Sequence, residues 1–424
     1  MKTENQSDLQ NDTQVNTQVN TQSNELTNMI EQACGCVTQQ KKGLSIDINM
    51  TENCSLRCTY CIENFDKPKL RNATKEHIDK IIQRVDEMLA SPKFNEDFDN
   101  IRLNFWGGEP TVNFKGMKQL LEYYENNPRI TFLLYTNAYK YEHCIDFLTE
   151  YQKRWDMNKL TIQVSYDGLA SHDVARVDIK GKKTALKVKE NLLKMHEMGA
   201  KLTVHPTIAW AQLDKLADNY YEFKRMREVM NLDFIDSYCP TIDYMSVGNF
   251  TPEEMQGYLD TYDREIKKIL KDEIEFFKKN GRFFFSWLNP SKHLCSAGGS
   301  IAIIDLNGDV SPCHGVMNSS KYQEQIYTNI EHDNFIDRLV ETTRLYDSFI
   351  FEVPEACQNC SAHYCLKCNS TKYELSKKET YIERWMDFTN QDHMCKLYKH
   401  NGLVRQSILN IIQKQNQQSQ QSNK

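Results

Sequence analysis

The sequence predicts an α/β fold: a parallel sheet, open or closed into a partial barrel, followed by a cysteine-rich segment of different texture. Three observations carry this. Over roughly residues 44–240, short β-rich apolar runs alternate with stretches of helical period. Of the fourteen cysteines, three crowd into residues 54–61 and seven fall between 295 and 395. The 424 residues, at roughly 150 per domain, allow two to three domains and a large core.

In chain order, residues 1–40 read as a disordered polar tail: sixteen of the first 24 are Asn, Gln, Ser or Thr, too little apolar surface to offset ordering entropy. Candidate strands follow at 44–50, 101–106, 130–135, 160–166, 201–208 and 232–238. Between the first two, Ile78, Ile81, Ile82, Val85 and Leu89 recur at spacings of three and four behind a Thr74 cap, which predicts one buried helical face. Met117, Leu120, Leu121 and Tyr124 predict the next helix, then Ile145, Leu148 and Tyr151; Val188, Leu192 and Met195; and Leu216, Tyr220 and Phe223. Six strands alternating with helices imply right-handed βα units, with reactive groups at the C-terminal strand ends. These elements define a barrel region at 41–240. A helical linker spans 241–289, with a long charged helix at about 252–279. The cysteine-rich domain is expected over 290–400, and 401–424 are read as a helix end and polar tail, the last twelve residues disordered.

Net charge excludes some partners. Lys and Arg total 52 and Asp and Glu 58, a balance of −6, so no basic excess favours a nucleic-acid partner. No apolar run approaches the ~18 residues of a membrane span, so no membrane partner is expected. No secretory signal is visible at the N-terminus, and the expected compartment is the cytoplasm. Thiols stay reduced there, and clustered cysteines read as metal or catalytic ligands rather than disulfides.

NMTENCSLRCTYC places Cys54, Cys58 and Cys61 just past the first strand, as CxxxCxxC. Three such thiolates can hold three irons of a cubane 4Fe-4S cluster and leave the fourth open to an external ligand. The plainer alternatives are a zinc knuckle short of one ligand, or three ordinary thiols. WGGEP at 106–110 follows the second strand, where glycines permit close backbone approach and Glu109 offers a carboxylate to an ammonium. YTNA ends the third strand and SYDGLASHDVAR the fourth.

CxxxCxxC with the aromatic Tyr60 before its last cysteine resembles the signature of the radical S-adenosylmethionine enzymes. The resemblance implies a partial (β/α)6 TIM-like barrel. It also implies an open iron that chelates S-adenosyl-L-methionine and a one-electron cleavage yielding a 5′-deoxyadenosyl radical, which abstracts hydrogen from the substrate. Carried over by position, Gly107, Gly108 and Glu109 would meet the methionine amine, and Asn137 would line the site. Ser165 and Arg176 would contact the cosubstrate's carboxylate or ribose, and Asp167 would shape the turn. Capping or salt bridging is the commonplace alternative for each.

Cys295, Cys313, Cys357, Cys360, Cys365, Cys368 and Cys395 complete the pattern. Eight thiolates would saturate two cubanes, so seven would leave one iron without a cysteine. The run is similar to the SPASM extension, although Cys357 to Cys368 reads CxxCxxxxCxxC, one residue short in each of its last two gaps. The resemblance implies two auxiliary 4Fe-4S clusters, with Cys295, Cys313 and Cys368 on the first and Cys357, Cys360, Cys365 and Cys395 on the second. A structural zinc site or a 2Fe-2S centre is the competing reading of Cys357 to Cys368.

His314, directly after Cys313, stands where sulfatase-maturing members typically carry an Asp that accepts a proton; a solvent-facing histidine is the alternative. Asp305 and Asp309 read as hairpin-turn residues, Cys34 and Cys36 as free thiols, and Cys144 and Cys239 as core. The expected function is modification of a peptide or protein by hydrogen abstraction, such as thioether or carbon–carbon crosslinking of a ribosomal peptide. An anaerobic sulfatase-maturating, formylglycine-forming activity is the alternative, and a non-catalytic iron–sulfur or zinc scaffold the reading from another class. The resemblance also implies a flavodoxin- or ferredoxin-like electron donor.

Overall fold

The computed structural model describes residues 41–61, 63, 70–154, 159–242, 250–290, 297–317, 325–351, 362 and 393–422. Cys34, Cys36, Cys295, Cys357, Cys360, Cys365 and Cys368 lie outside the described residues, as does the polar stretch 1–40.

Strand β1 (Lys42–Thr51) buries Leu44, Ile46, Ile48 and Met50 on one face, while the intervening Asp47 and Asn49 point to the other. The short strand β2 (Leu56–Cys58) follows within the cysteine loop. Helix α1 (Lys75–Ala90) starts where the Thr74 side chain accepts from His77 N, and it buries Ile78, Ile81, Ile82, Val85 and Met88. Then come β3 (Phe98–Gly107), α2 (Phe114–Tyr123), β4 (Ile130–Thr136), α3 (Ile145–Arg154) and β5 (Leu160–Val164). The short β6 (Arg176–Asp178) precedes α4 (Ala185–Glu197) and β7 (Leu202–Val204). The apolar faces read from the sequence are the buried faces of α2, α3 and α4.

The fifth expected strand is broken. His205-Pro206 separates β7 from β8 (Thr207–Ile208), because proline has no N–H to donate to a ladder. β8 pairs in parallel with β9 (Thr241–Ile242), beyond helix α5 (Leu216–Glu228). The sixth strand expected at 232–238 does not form. Leu232, Ile235 and Tyr238 are buried anchors three residues apart while Asp233 and Asp236 are exposed, so this is a loop pinned by three side chains. Cys239, expected in the core from that strand, is consequently exposed; Cys144 is fully buried, as expected.

The strand missing at one edge is replaced at the other. Helix α6 (Pro252–Asn280) begins with a Thr251–Glu254 capping box and Pro252 in its first turn, and it ends at Gly281 in the left-handed region. The chain then returns as β10 (Ile301–Ile304), which pairs in parallel with β1, Asp47 opposite Ile303. β11 (Asp309–Ser311) and β12 (Thr328–Asn329) add antiparallel strands, giving the order β12-β11-β10-β1-β3-β4-β5-β7. The β10–β11 turn is built by Asp305 Oδ1, which accepts from Asn307 N and Asp309 N.

Helix α7 (Phe335–Phe351) and helix α8 (His393–Ser422) are the last two described helices. The C-terminal Gln-rich run, expected to be disordered, is helical through Ser422. Gln and Lys are good helix formers, and α8 is already anchored by Leu397, Tyr398, Ile408 and Ile412 in the core. No described helix is long and apolar enough to cross a membrane.

Candidate active site at the strand ends

The cysteine loop leaves β1 and is fixed by its neighbours' backbones. Gly108 N donates to Thr51 O at 2.7 Å and Glu109 N to Asn53 O at 2.7 Å. Gly107 has φ +130°, and a Cβ there would stand 2.4 Å from Thr51 O; one on Gly108 would stand 2.3 Å from Asn53 O. The two glycines therefore let the end of β3 press directly on residues 51–53, and the close approach expected to serve a ligand is occupied by the chain itself.

Glu109 is buried, and its carboxylate accepts four hydrogen bonds. Oε1 takes Thr111 N at 3.3 Å, Thr111 Oγ1 at 2.8 Å and Thr136 Oγ1 at 2.8 Å, and Oε2 takes Asn137 N at 2.7 Å. Burial raises the carboxyl above its usual range, against the opposing pull of those donors. Thr111 and Thr136 are partners that sequence reading missed; Thr136 lies inside the YTNA motif, which was its only signal. Asn137 Nδ2 reaches Cys54 Sγ at 3.5 Å and Ser55 Oγ at 3.4 Å.

Across the loop, β2 pairs antiparallel with β6, setting Cys58 directly opposite Arg176. Arg176 is buried. Its Nε donates to Asp167 Oδ2 at 2.8 Å, Nη2 to Thr207 Oγ1 at 3.5 Å, and Nη1 points at Cys58 Sγ at 3.9 Å. The guanidinium carbon lies 5.2 Å from the Tyr60 ring centroid. Asp167 Oδ2 also accepts from Tyr60 OH, and Oδ1 takes Thr207 N at 2.8 Å. Burial alone would push the Asp167 carboxyl up, but the Arg176 and His172 charges together with the hydrogen bonds from Arg176 and Tyr60 hold it below the usual range. Asp167 thus ties the Tyr60 loop, β6 and the β7–β8 break together. Ser165 is half-buried, and its N donates to Thr136 O at 2.8 Å.

The sulfurs themselves are poorly disposed to ionise on protein interactions alone. Burial, then the Glu109 charge, pushes the Cys54 thiol up to about 12. Burial raises Cys58 as well and takes Cys61 to about 11, although Cys61 as a whole residue is exposed. Yet N–H groups are aimed at two of them, since Cys54 Sγ also receives Leu56 N at 3.4 Å. Donors directed at buried sulfur suit anionic thiolates neutralised by a cationic centre, so this donor set fits an iron–sulfur cluster. Among the described residues, no three His, Cys, Asp or Glu side chains converge on a single-ion site. Thiolates that each take a different iron have no need to.

His314 lies far from Asp47 and Trp106 in sequence but meets both in the fold. Its ring packs on Trp106 at 4.1 Å between centroids, and Nε2 sits 2.9 Å from Asp47 Oδ2 on β1 without the alignment of a hydrogen bond. Asp47 in turn accepts from Asn104. Neither Asp47 nor Trp106 was singled out from the sequence, since only the fold brings β1, β3 and residue 314 together. Cys313 and Cys395 are both partly buried.

Residues 48–218 match the model of the radical SAM superfamily. A protein of Clostridium novyi (strain NT) described as a cysteine-type anaerobic sulfatase-maturating enzyme is 21% identical over 337 residues, covering 76% of this chain and 86% of that protein. Native anSMEcpe with bound AdoMet and Cp18Cys peptide shares the fold at a TM-score of 0.62 and 20% identity, over 88% of this chain and 99% of that one. A histidine-tagged form of anSMEcpe with bound AdoMet aligns at 0.60 and 20% identity, over 88% and 100%.

Proposed function

We infer that this chain, whose residues 48–218 are a radical S-adenosylmethionine domain, is an enzyme that modifies a peptide or protein substrate by hydrogen abstraction. One observation carries the reading: three cysteines of CxxxCxxC, a GGE strand end and the Asp167–Arg176 pair meet around one loop. A scaffold that used the cysteines only as staples would have no need of that convergence.

When bound, a 4Fe-4S cluster and S-adenosyl-L-methionine supply one-electron cleavage and a hydrogen-abstracting carbon radical there. Cys54, Cys58 and Cys61 would hold the cluster. Gly107 and Gly108 seat the loop, and Glu109, whose Oε2 takes a single donor, would offer the acceptor position left on that oxygen to the cosubstrate's ammonium. Ser165, Asn137, Tyr60 and Arg176 would supply its further contacts. Cys295, Cys313 and Cys368 would take one auxiliary cluster and Cys357, Cys360, Cys365 and Cys395 a second, with a flavodoxin- or ferredoxin-like protein as electron donor.

Two products are in play. The residues alone favour crosslinking of a ribosomal peptide, with His314 in place of an acidic group. The likeness to a sulfatase-maturating enzyme supports formylglycine formation instead. The test is anaerobic reconstitution with dithionite and S-adenosyl-L-methionine, with iron counted and 5′-deoxyadenosine measured. Cleavage abolished by replacing any of Cys54, Cys58 or Cys61 supports the reading; an iron-loaded chain that releases no 5′-deoxyadenosine leaves the scaffold. A Cys-containing substrate peptide then separates the products: an aldehyde captured by an aminooxy reagent means formylglycine, and loss of two hydrogens without an aldehyde means a crosslink.

A further inference from the structure

Two side chains that the resemblance assigns to the cosubstrate are turned, in this structure, toward the cysteines. Asn137 is locked on three sides. Its N is held by Glu109 Oε2 at 2.7 Å, its Oδ1 accepts from Tyr139 N at 2.9 Å, and Nδ2 is left for Cys54 Sγ at 3.5 Å and Ser55 Oγ at 3.4 Å. Arg176 is locked in the same way by Asp167, Thr207 and the Tyr60 ring, and it presents Nη1 to Cys58 Sγ at 3.9 Å. These donors come from different strand ends and reach different sulfurs. Both residues are buried, where an N–H directed at an anion acts more strongly than in water.

One-electron reduction of an iron–sulfur cluster adds negative charge that the thiolate ligands share. A fixed N–H donor stabilises the more negative state, and hydrogen bonds to sulfur are a recognised control on cluster potential. We propose that Asn137 and Arg176 are positioning residues that raise the reduction potential of the cluster held by Cys54, Cys58 and Cys61, independently of any contact with the cosubstrate. This rests on the cluster assignment made above. It gives the two residues a role in whether the cluster can be reduced at all.

The test is a potentiometric titration of the full chain, loaded anaerobically and kept free of cosubstrate, followed by electron paramagnetic resonance. The signal read is the one that S-adenosyl-L-methionine perturbs in a parallel sample, which separates it from any auxiliary cluster. Asn137→Ala removes the side-chain donor but keeps the backbone N–H to Glu109. It is expected to shift the equilibrium about tenfold toward the oxidised cluster, a fall of about 59 mV for one electron. Arg176→Lys keeps the charge opposite Asp167 and is expected to shift in the same direction by less.

Loaded variants that titrate at the wild-type potential overturn the proposal, even if they bind the cosubstrate more weakly. If Asn137→Ala takes up no cluster, Arg176→Lys decides alone by the same criterion. A wild-type chain with no signal that the cosubstrate perturbs is a different result, because it removes the cluster assignment itself.

Discussion

Replacing Asp167 by Asn tests whether the site is held by charge or by shape. The substitution keeps the side-chain volume and one acceptor oxygen, but it leaves the guanidinium of Arg176 buried without its counter-charge. Removing one partner of a buried ion pair costs about 3–5 kcal/mol, because the survivor's desolvation is no longer offset. The Tyr60 hydroxyl and Thr207 N lose an anionic acceptor as well, so the upper half of that range is expected. Removing the second charge too, as in Asp167→Asn with Arg176→Met, relieves the stranded cation. The double variant should therefore be more stable than the sum of the single changes by at least about 2 kcal/mol. Urea unfolding of the apoprotein, read by circular dichroism for wild type, both singles and the double, measures that coupling. A single Asp167→Asn cost below about 1 kcal/mol, the range of exposed pairs, or strict additivity in the double, would refute the argument that this pair is an electrostatic hub.

Gly108→Ala places a methyl 2.3 Å from Asn53 O, against backbone that cannot yield without moving Cys54; a loss of about 1–3 kcal/mol and lower iron per chain after reconstitution are expected, measured together on one preparation. Glu273 is buried, and burial raises its pKa from 4.5 to about 7 against the donors Tyr220 OH and Phe285 N. The native state then holds a proton that the unfolded chain has lost, so stability falls as pH rises from about 4.5 to about 7, by on the order of 3 kcal/mol. Glu273→Gln should flatten that part of the stability–pH curve, as followed by urea midpoints. Thr251→Ala removes the hydroxyl that accepts from Glu254 N at the start of α6; it should cost about 0.5–2 kcal/mol, read by the same denaturation.

The parts of the fold that could be read from sequence are those with local periodicity. Ile78, Ile81, Ile82 and Val85 announce α1 because a helix repeats its buried face every three or four residues, and the observed face adds Arg84 and Met88, with Leu89 partly buried beside them. LDFIDSY failed because apolar residues that anchor a loop, Leu232, Ile235 and Tyr238, cannot be told from a short strand by pattern alone. Ile301–Ile304 escaped notice because four residues carry little period, and its place beside β1 is set by pairing across some 250 residues of chain. At the site, the spacing of Cys54, Cys58 and Cys61 and of Gly107-Gly108-Glu109 is covalent and therefore visible. That the glycines seat the loop backbone, that Arg176 faces Cys58, and that Trp106 and Asp47 close on His314 are long-range facts created only when the strands align.

The seating of β10 against β1 means that the two halves are sewn along a seam rather than strung on a tether. A fragment stopped near residue 290 would strip the neighbour from one flank of β1 and leave Ser45 through Ile48 facing water with unpaired amides and carbonyls. Such a raw margin recruits other chains. Dissecting the molecule for study is therefore better done by point substitution at the downstream cysteines than by shortening it.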